Sequence, residues 1–328
     1  MSKHQPTRES TAIQTSPPIP DSTSLVESPS RWPWIGFLYL SIVYLVWGAT
    51  YLAIRVAVQE GSGFPPFTMG AMRMMAASGI LFLWSGLAGK RIKPSWQELL
   101  ILSGSGLAMW LGGNGLVIWA EQRADSNLAA LIIAATPIWV AMMEAIIDRK
   151  PPSIYLIGAL IIGFAGIVVL SLPVLTSGLR ADLGSVIALL LAALSWGLGL
   201  VLQSRKKVAL SPIASSAIQH LAGGLGFFVV MWLMGEPLPT PIPQAWAAWG
   251  FLVVFGSVFA FTSLVRVLQI LPTNIVMTYS YVNPVIAVFL GWLILDEKIT
   301  LWTIGGAALV LIGVAGVFRE RYGHEQGG

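Results

Sequence analysis

Two halves of this sequence repeat one another at an offset of 147 residues. Gln122, Asn127, Pro137, Gly158 and Gly166 recur in the same order and spacing as Gln269, Asn274, Pro284, Gly305 and Gly313. Pro65 maps onto Pro212 and Arg73 onto His220, and Trp47-Gly48 returns two residues out of register as Trp196-Gly197. The chain carrying the repeat is 55% hydrophobic and 10% charged. Soluble domains are about one quarter charged, so this one belongs in a bilayer. A long repeat in such a chain points to two related helical bundles with a site between them.

The sequence holds no cysteine. That removes disulfide frameworks, thiolate chemistry and cysteine metal sites together. The basic residues flank apolar spans, where they act as topology signals and not as a nucleic-acid stripe. Residues 1–33 are rich in Ser, Thr and Pro. They cannot bury enough apolar surface to offset the entropy of ordering, and they read as a disordered cytoplasmic tail. An apolar stretch followed by a small-residue cleavage site is missing there, which argues against a cleaved signal peptide.

A helix needs about 20 apolar residues to cross the hydrocarbon. Apolar runs between polar punctuation give ten spans, over residues 35–58, 66–88, 97–119, 126–147, 153–172, 183–203, 213–234, 245–269, 274–295 and 300–318. Strands of a closed barrel would need alternating polarity, which these runs lack. The fold expected is an all-α polytopic membrane protein. A first repeat covers 34–178 and a second 179–319, with a C-terminal tail at 320–328. An N-terminus in the cytoplasm puts Lys90, Arg91, Lys93, Arg149, Lys150, Arg205, Lys206, Lys207, Arg319 and Arg321 on the inner side, with the C-terminus also inside. Five spans per repeat is an odd number, so the halves face opposite ways.

Further signals are Trp47-Gly48-Ala49-Thr50-Tyr51 with Arg55, Pro65-Pro66 with Arg73, Gly113-Asn114-Gly115, and Ser280-Tyr281-Val282-Asn283-Pro284. In these the chain resembles the drug/metabolite transporter superfamily, in particular the ten-helix EamA-type exporters, over residues 35–318. The resemblance implies a basket of two inverted five-helix repeats around a central cavity lined by the first four helices of each. It also implies export of amino acids, metabolites or toxic compounds without ATP, and leaves the solute open.

Polar residues within spans are costly and need a reason. Arg73 lies about 12 Å deep in the second span at 1.5 Å per residue, too deep for easy snorkelling. It either faces the cavity as a fixed positive charge or makes a structural pair. His220, its symmetry mate, either lines the cavity, couples to protons through an imidazole that titrates near neutrality, or is a hydrogen-bonded packing residue. Trp47, Tyr51 and Arg55 share one face of the first span. The two aromatics read as cavity wall, and Arg55 as a gate or a snorkelling interfacial charge. Asn114 among its glycines offers an amide to a solute or marks close helix packing. Glu121 is a mouth residue or is simply solvated. Pro137 and Pro284 remove the hydrogen bonds to the carbonyls of Ile133 and Ser280, giving kinks that serve as hinges or only shape the bundle. Tyr281 and Asn283, beside Pro284, are expected to line the cavity.

Catalytic and ATP-binding signatures are missing, and one membrane histidine is too few ligands for a metal, so neither an enzyme nor a cofactor is expected. The reading is a secondary exporter in a bacterial inner membrane, moving a small solute with or without protons. A passive facilitator, a lipid flippase and a non-transporting scaffold are the alternatives. No nucleic-acid partner is expected.

Overall fold

The computed structural model describes residues 34–58, 61–121, 123, 126–176, 182–206, 208–295 and 299–323. The expected tail at 1–33 lies outside them, as do the side chains of Tyr51, Arg55 and Glu121. Ten helical spans follow in order. α1 is Trp34–Val58 and α2 Pro66–Leu87. α3 joins Trp96–Gly106, Leu107–Gly115 and Leu116–Glu121, and α4 joins Ser126–Ile133 to Thr136–Asp148. α5 is Ile154–Leu175, α6 Leu183–Arg205 and α7 Pro212–Met234. α8 joins Pro243–Phe251, Leu252–Phe261 and Thr262–Val267, α9 joins Thr273–Val276 to Tyr279–Leu295, and α10 is Leu301–Gly323. α10 therefore runs past 319, where the second repeat was expected to end. Among the described residues nine helices are long and apolar enough to cross a membrane, and α1 adds the shorter apolar stretch Trp34–Thr50. The described residues contain no strand. The protein is a polytopic helical membrane protein of two five-helix repeats.

Packing follows the repeat but crosses it. α1 packs on α8 and α9 of the second repeat, and α6 packs in the matching way on α3 and α4 of the first. The self-paired contacts are α5 with α10, the most extensive of all, and α2 with α7. Glycine makes the first of these possible. A methyl group built on Gly313 would lie 2.4 Å from the Gly163 nitrogen, one on Gly166 2.6 Å from the Val310 nitrogen, and one on Gly306 2.6 Å from the Leu170 nitrogen. The two backbones touch, as small residues permit where lipid offers no hydrophobic drive to association. Gly158, by contrast, faces open space.

One carboxylate ties the start of α2 to the residues after α7, and another ties the start of α3 to the residues before α7. At the start of α2, Glu236 accepts from the Phe67 and Thr68 N–H groups at 3.0 and 2.6 Å and from the Thr68 hydroxyl at 2.7 Å. These are helix N-terminal donors with no partner inside the helix, and the macrodipole favours an anion there. At the other end, Glu98 accepts from the Ala209 N–H at 2.9 Å, just before α7, while closing a capping box with Ser95 and pairing with Arg91. Next to the first clasp, the Thr240 N–H donates to the Gly63 carbonyl at 2.9 Å. Gly63 has φ +82°, and a Cβ there would meet the Thr240 oxygen at 2.1 Å, so both conformation and space demand glycine.

Two helix pairs are irregular, α3 with α8 and α4 with α9. Leu107–Gly115 in α3 and Leu252–Phe261 in α8 are π-helical. α4 breaks at Ala134–Ala135 and α9 at Met277–Thr278, and at each break a threonine hydroxyl takes a carbonyl three residues back: Thr136 that of Ile133, Thr278 that of Ile275. The Ile133 carbonyl is therefore not left free, as the proline alone would leave it. Pro137 sits in the first turn after its break, where its missing N–H costs nothing. Pro284 lies inside the second segment of α9, after the break rather than at it.

The seam and the clasp yield two expectations in thermal unfolding of detergent-solubilised protein. Gly313→Ala forces a methyl into backbone and destabilises by about 1–3 kcal/mol, whereas Gly158→Ala is neutral or slightly stabilising. Equal midpoints for the two variants would remove the seam from the account. Glu236→Ala strands two N-terminal N–H groups and costs about 1–2 kcal/mol; an unchanged midpoint would mean that water replaces the carboxylate without loss.

Candidate functional site

The repeated Trp-Gly pairs meet at the centre of the bundle. The Trp47 and Trp196 rings lie 5.7 Å apart, edge to face. A Cβ on Gly48 would strike Ile286 of α9 at 2.5 Å, and one on Gly197 would press on Val140 of α4 at 3.1 Å. Each glycine thus lets its tryptophan helix settle against the other repeat. Trp47 donates through Nε1 to the Gly256 carbonyl at 3.0 Å, in the π-helical part of α8. Trp196 donates through Nε1 to the Tyr279 hydroxyl at 2.5 Å, and the Tyr279 ring stands 5.0 Å from Trp47.

Arg73 and His220 stand beside this aromatic group, each completed by the other repeat. Arg73 is 5% exposed, and its Nε donates to the Ser257 hydroxyl at 2.9 Å while the guanidinium lies 5.4 Å from the Trp110 ring centre. His220 is 0% exposed and packs at 4.9 Å from Trp110 and 4.7 Å from Phe261. Positions 110 and 257 are themselves related by the 147-residue offset, so Arg73 with Ser257 and His220 with Trp110 are the two halves of one symmetric arrangement. Trp110 also meets Trp196 at 5.7 Å, which joins the two clusters.

Three features of this site bear on ligands. Among the described residues no carboxylate pairs with Arg73: the ion pairs found are Arg91 with Glu98 and Arg205 with Glu144 and Asp148. The Trp110 Nε1 and the His220 Nε2 are buried without a partner. His220 Nδ1 lies 2.8 Å from the Ser216 carbonyl, which can only accept, so Nδ1 carries a proton and Nε2 is the free position. A buried polar atom left unpaired costs about 1–3 kcal/mol, so water or a ligand is the expected occupant.

The remaining sequence candidates are distributed around this centre. Asn114 is half-buried in the π-helical part of α3. Its neighbour Gly113 lies against Trp196, since a Cβ there would be 2.7 Å from that ring. Tyr281 is fully buried and turns to α5, donating to the Leu160 carbonyl at 3.1 Å with its ring over Gly163. Asn283 is oriented so that its nitrogen donates to the carbonyls of Tyr279 at 3.1 Å and Tyr44 at 3.3 Å, tying α9 to α1. Both side chains hold helices together instead of joining the aromatic centre. Trp110, Trp196, Ser257 and Tyr279 were not singled out in the sequence. The recurrence of Trp47-Gly48 was the available signal for Trp196, and the offset from position 110 to 257 became meaningful only once Arg73 and Ser257 were seen in contact.

A separate cavity of about 440 Å³ opens between the ends of α4 and α10 and the starts of α5 and α9. Glu144, Asp148, Lys150, Asn274 and Glu320 supply its polar lining. Arg205 of α6 holds Asp148 by two nitrogens, the second at 2.6 Å, and reaches Glu144 at 3.6 Å. The central residues themselves are packed against one another.

Comparison with known proteins agrees with this architecture. The EamA-like transporter family matches the chain twice, over residues 34–172 and 183–319. The uncharacterized inner membrane transporter YedA of Escherichia coli K12 is 31% identical over 261 residues, covering 79% of this chain and 82% of that one. The uncharacterized transporter YoaV of Bacillus subtilis is 27% identical over 275 residues, covering 83% and 92%. A solved crystal structure of 18% identity superposes with a TM-score of 0.75 over 87% of this chain and 98% of that one, which shows the shared fold. With its two matched repeats, its helical spans and these relatives, the chain belongs to the EamA-like transporter family and is a membrane transporter.

Proposed function

We propose that the protein is a secondary exporter of a small metabolite or amino acid, working by alternating access around the Trp47–Arg73–Trp110–His220 centre, in the inner membrane of a bacterium with both termini cytoplasmic. The observation that carries this reading is Arg73: a buried cation at the seam of the repeats with a hydroxyl and an indole face for company and no carboxylate among the described residues. Intramembrane charge is retained where it meets a solute or an ion. The name given to the Escherichia coli relative, an inner membrane transporter, supports the location. The broken α4 and α9 resemble the discontinuous helices around which many transporters build their sites.

Two units of packing can rock about this centre, and neither is a sequence half: α1 moves with α8 and α9, and α6 with α3 and α4. The cavity beside Glu144 and Asp148, two carboxylates that Arg205 pairs with, is then the cytoplasmic vestibule. Coupling to protons falls to His220, whose Nε2 is free and which faces Arg73, Trp110 and Phe261; Arg73 is the one charged group near it among the described residues.

Proteoliposome flux of a pooled metabolite panel, with and without an imposed pH gradient, tests the reading. Accumulation driven by the gradient is expected; flux that only equilibrates would make the protein a facilitator. Arg73→Ala should lower flux at least tenfold while leaving folded protein in the membrane, and undiminished flux would make the arginine structural. His220→Gln should keep exchange of solute across the membrane but lose its response to the gradient. A variant still driven by pH would take the proton role away from this residue.

A further inference from the structure

The unpaired polar groups at the centre are the Arg73 guanidinium and the Trp110 N–H, which donate, and the uncharged His220 Nε2, which accepts. Arg73 spends its Nε on Ser257 and has no other hydrogen bond among the described residues. Trp110 presents an indole N–H with no acceptor. The other two indoles are already satisfied, Trp47 by Gly256 and Trp196 by Tyr279, so they serve as wall and not as recognition. The carboxylates whose side chains are described sit at helix ends: Glu98, Glu144, Asp148, Asp182, Glu236 and Glu320. A ligand ammonium would find no anion here. The Trp110 face, which could receive it, is already occupied by Arg73 at 5.4 Å.

We infer that the centre takes a monocarboxylate carried on a flat aromatic body, and discriminates against ligands bearing an ammonium group. The inference deepens the transport reading and rests on this centre being the transport site. A carboxylate supplies the two acceptor oxygens that the guanidinium fork and the indole N–H lack, in the geometry for which arginine is suited. The aromatic body follows from the packing. Trp47, Trp110, Trp196, Tyr279 and Phe261 touch one another at centroid distances of 4.9–5.7 Å. A ligand entering between them separates these rings, and a planar ring restores each lost contact with one of the same kind.

The test is a matched series: 3-phenylpropionate, 3-phenylpropanamide, phenylalanine, phenethylamine and 3-cyclohexylpropionate. Binding is read from tryptophan emission of the full chain in lipid nanodiscs, and counterflow of each radiolabelled compound from proteoliposomes. The expected order is 3-phenylpropionate at least tenfold tighter than its amide, phenylalanine weaker than 3-phenylpropionate, 3-cyclohexylpropionate weaker by a few fold, and no binding of phenethylamine. In Arg73→Gln the acid and the amide should bind alike. Ser257→Ala, which removes the hydroxyl that aims the guanidinium, should narrow the difference without abolishing it, and it serves if the first variant does not fold. Phenethylamine or the amide binding as tightly as the acid would overturn the assignment. So would an acid preference that survives Arg73→Gln, or the failure of every compound to bind folded protein. The two readings separate in the counterflow arm. Binding with the expected order and no counterflow sinks transport at this centre, while counterflow of ammonium compounds without acid preference sinks the ligand class alone.

Discussion

Each repeat leaves its centre unfinished, and the other repeat completes it. Arg73 needs the Ser257 hydroxyl and Trp47 needs the Gly256 carbonyl, while His220 packs its ring on Trp110. A soluble protein could satisfy such groups with water. In hydrocarbon an unpaired polar group costs several kcal/mol, and only an internal partner removes that cost. The two repeats are therefore joined by obligation as well as by packing. The polar residues of the proposed site are also those that hold the repeats in register. A change at Arg73 thus acts at once on a ligand site and on an interface, which is why acid against amide discriminates its role better than loss of flux does.

Much of the architecture could be read from the sequence because it follows from periods and counts. Ten apolar runs, an odd number per repeat and the fixed offset left one layout. Arg73 and His220 stood out because charge and imidazole are rare in spans, and both lie at the centre. The π-helical stretches were not legible. Leu107–Gly115 and Leu252–Phe261 are apolar and glycine-containing like many ordinary helices, and whether such a stretch takes i+5 hydrogen bonds is decided by what packs beside it. Tyr281 and Asn283 misled for a related reason. A polar group beside a proline in a span looks like a lining residue, yet a neighbouring helix carbonyl satisfies it equally well. The clasps by Glu98, in the first turn of α3, and Glu236, just after α7, sit at helix ends, where no period advertises a partner in the opposite repeat.

The crossing of the repeats also changes what alternating access has to move. If the sequence halves were the rigid bodies, opening the centre would mean separating α1 from α8 and α9, and α6 from α3 and α4, which are extensive contacts. Splitting along the observed packing leaves these intact and asks instead for movement across the aromatic centre, whose contacts a ligand can replace. Wherever the division falls, α5 and α10 are locked by backbone contact through Gly163, Gly166, Gly306 and Gly313, and α2 is packed along α7 and fastened to its end by Glu236. Close-packed interfaces switch between discrete arrangements and do not stretch, so these two pairs act as the fixed frame.

Deformation is then left to the four helices that are already irregular. α4 and α9 leave the i−4 pattern of backbone bonding at Ala134–Ala135 and Met277–Thr278, where Ala135 and Thr278 donate three residues back and threonine hydroxyls add bonds to the Ile133 and Ile275 carbonyls. α3 and α8 carry the π-helical turns beside Trp110 and Ser257. A wide turn returning to α-helical pitch shifts every residue beyond it around the helix axis, and a capped break bends without losing a main-chain bond. Either movement in α3 or α8 would carry Trp110 or Ser257 away from its partner in the other repeat. On the proposed reading, two of the groups that meet a solute therefore lie on the segments best able to move, so that filling the centre and changing its shape draw on the same few contacts.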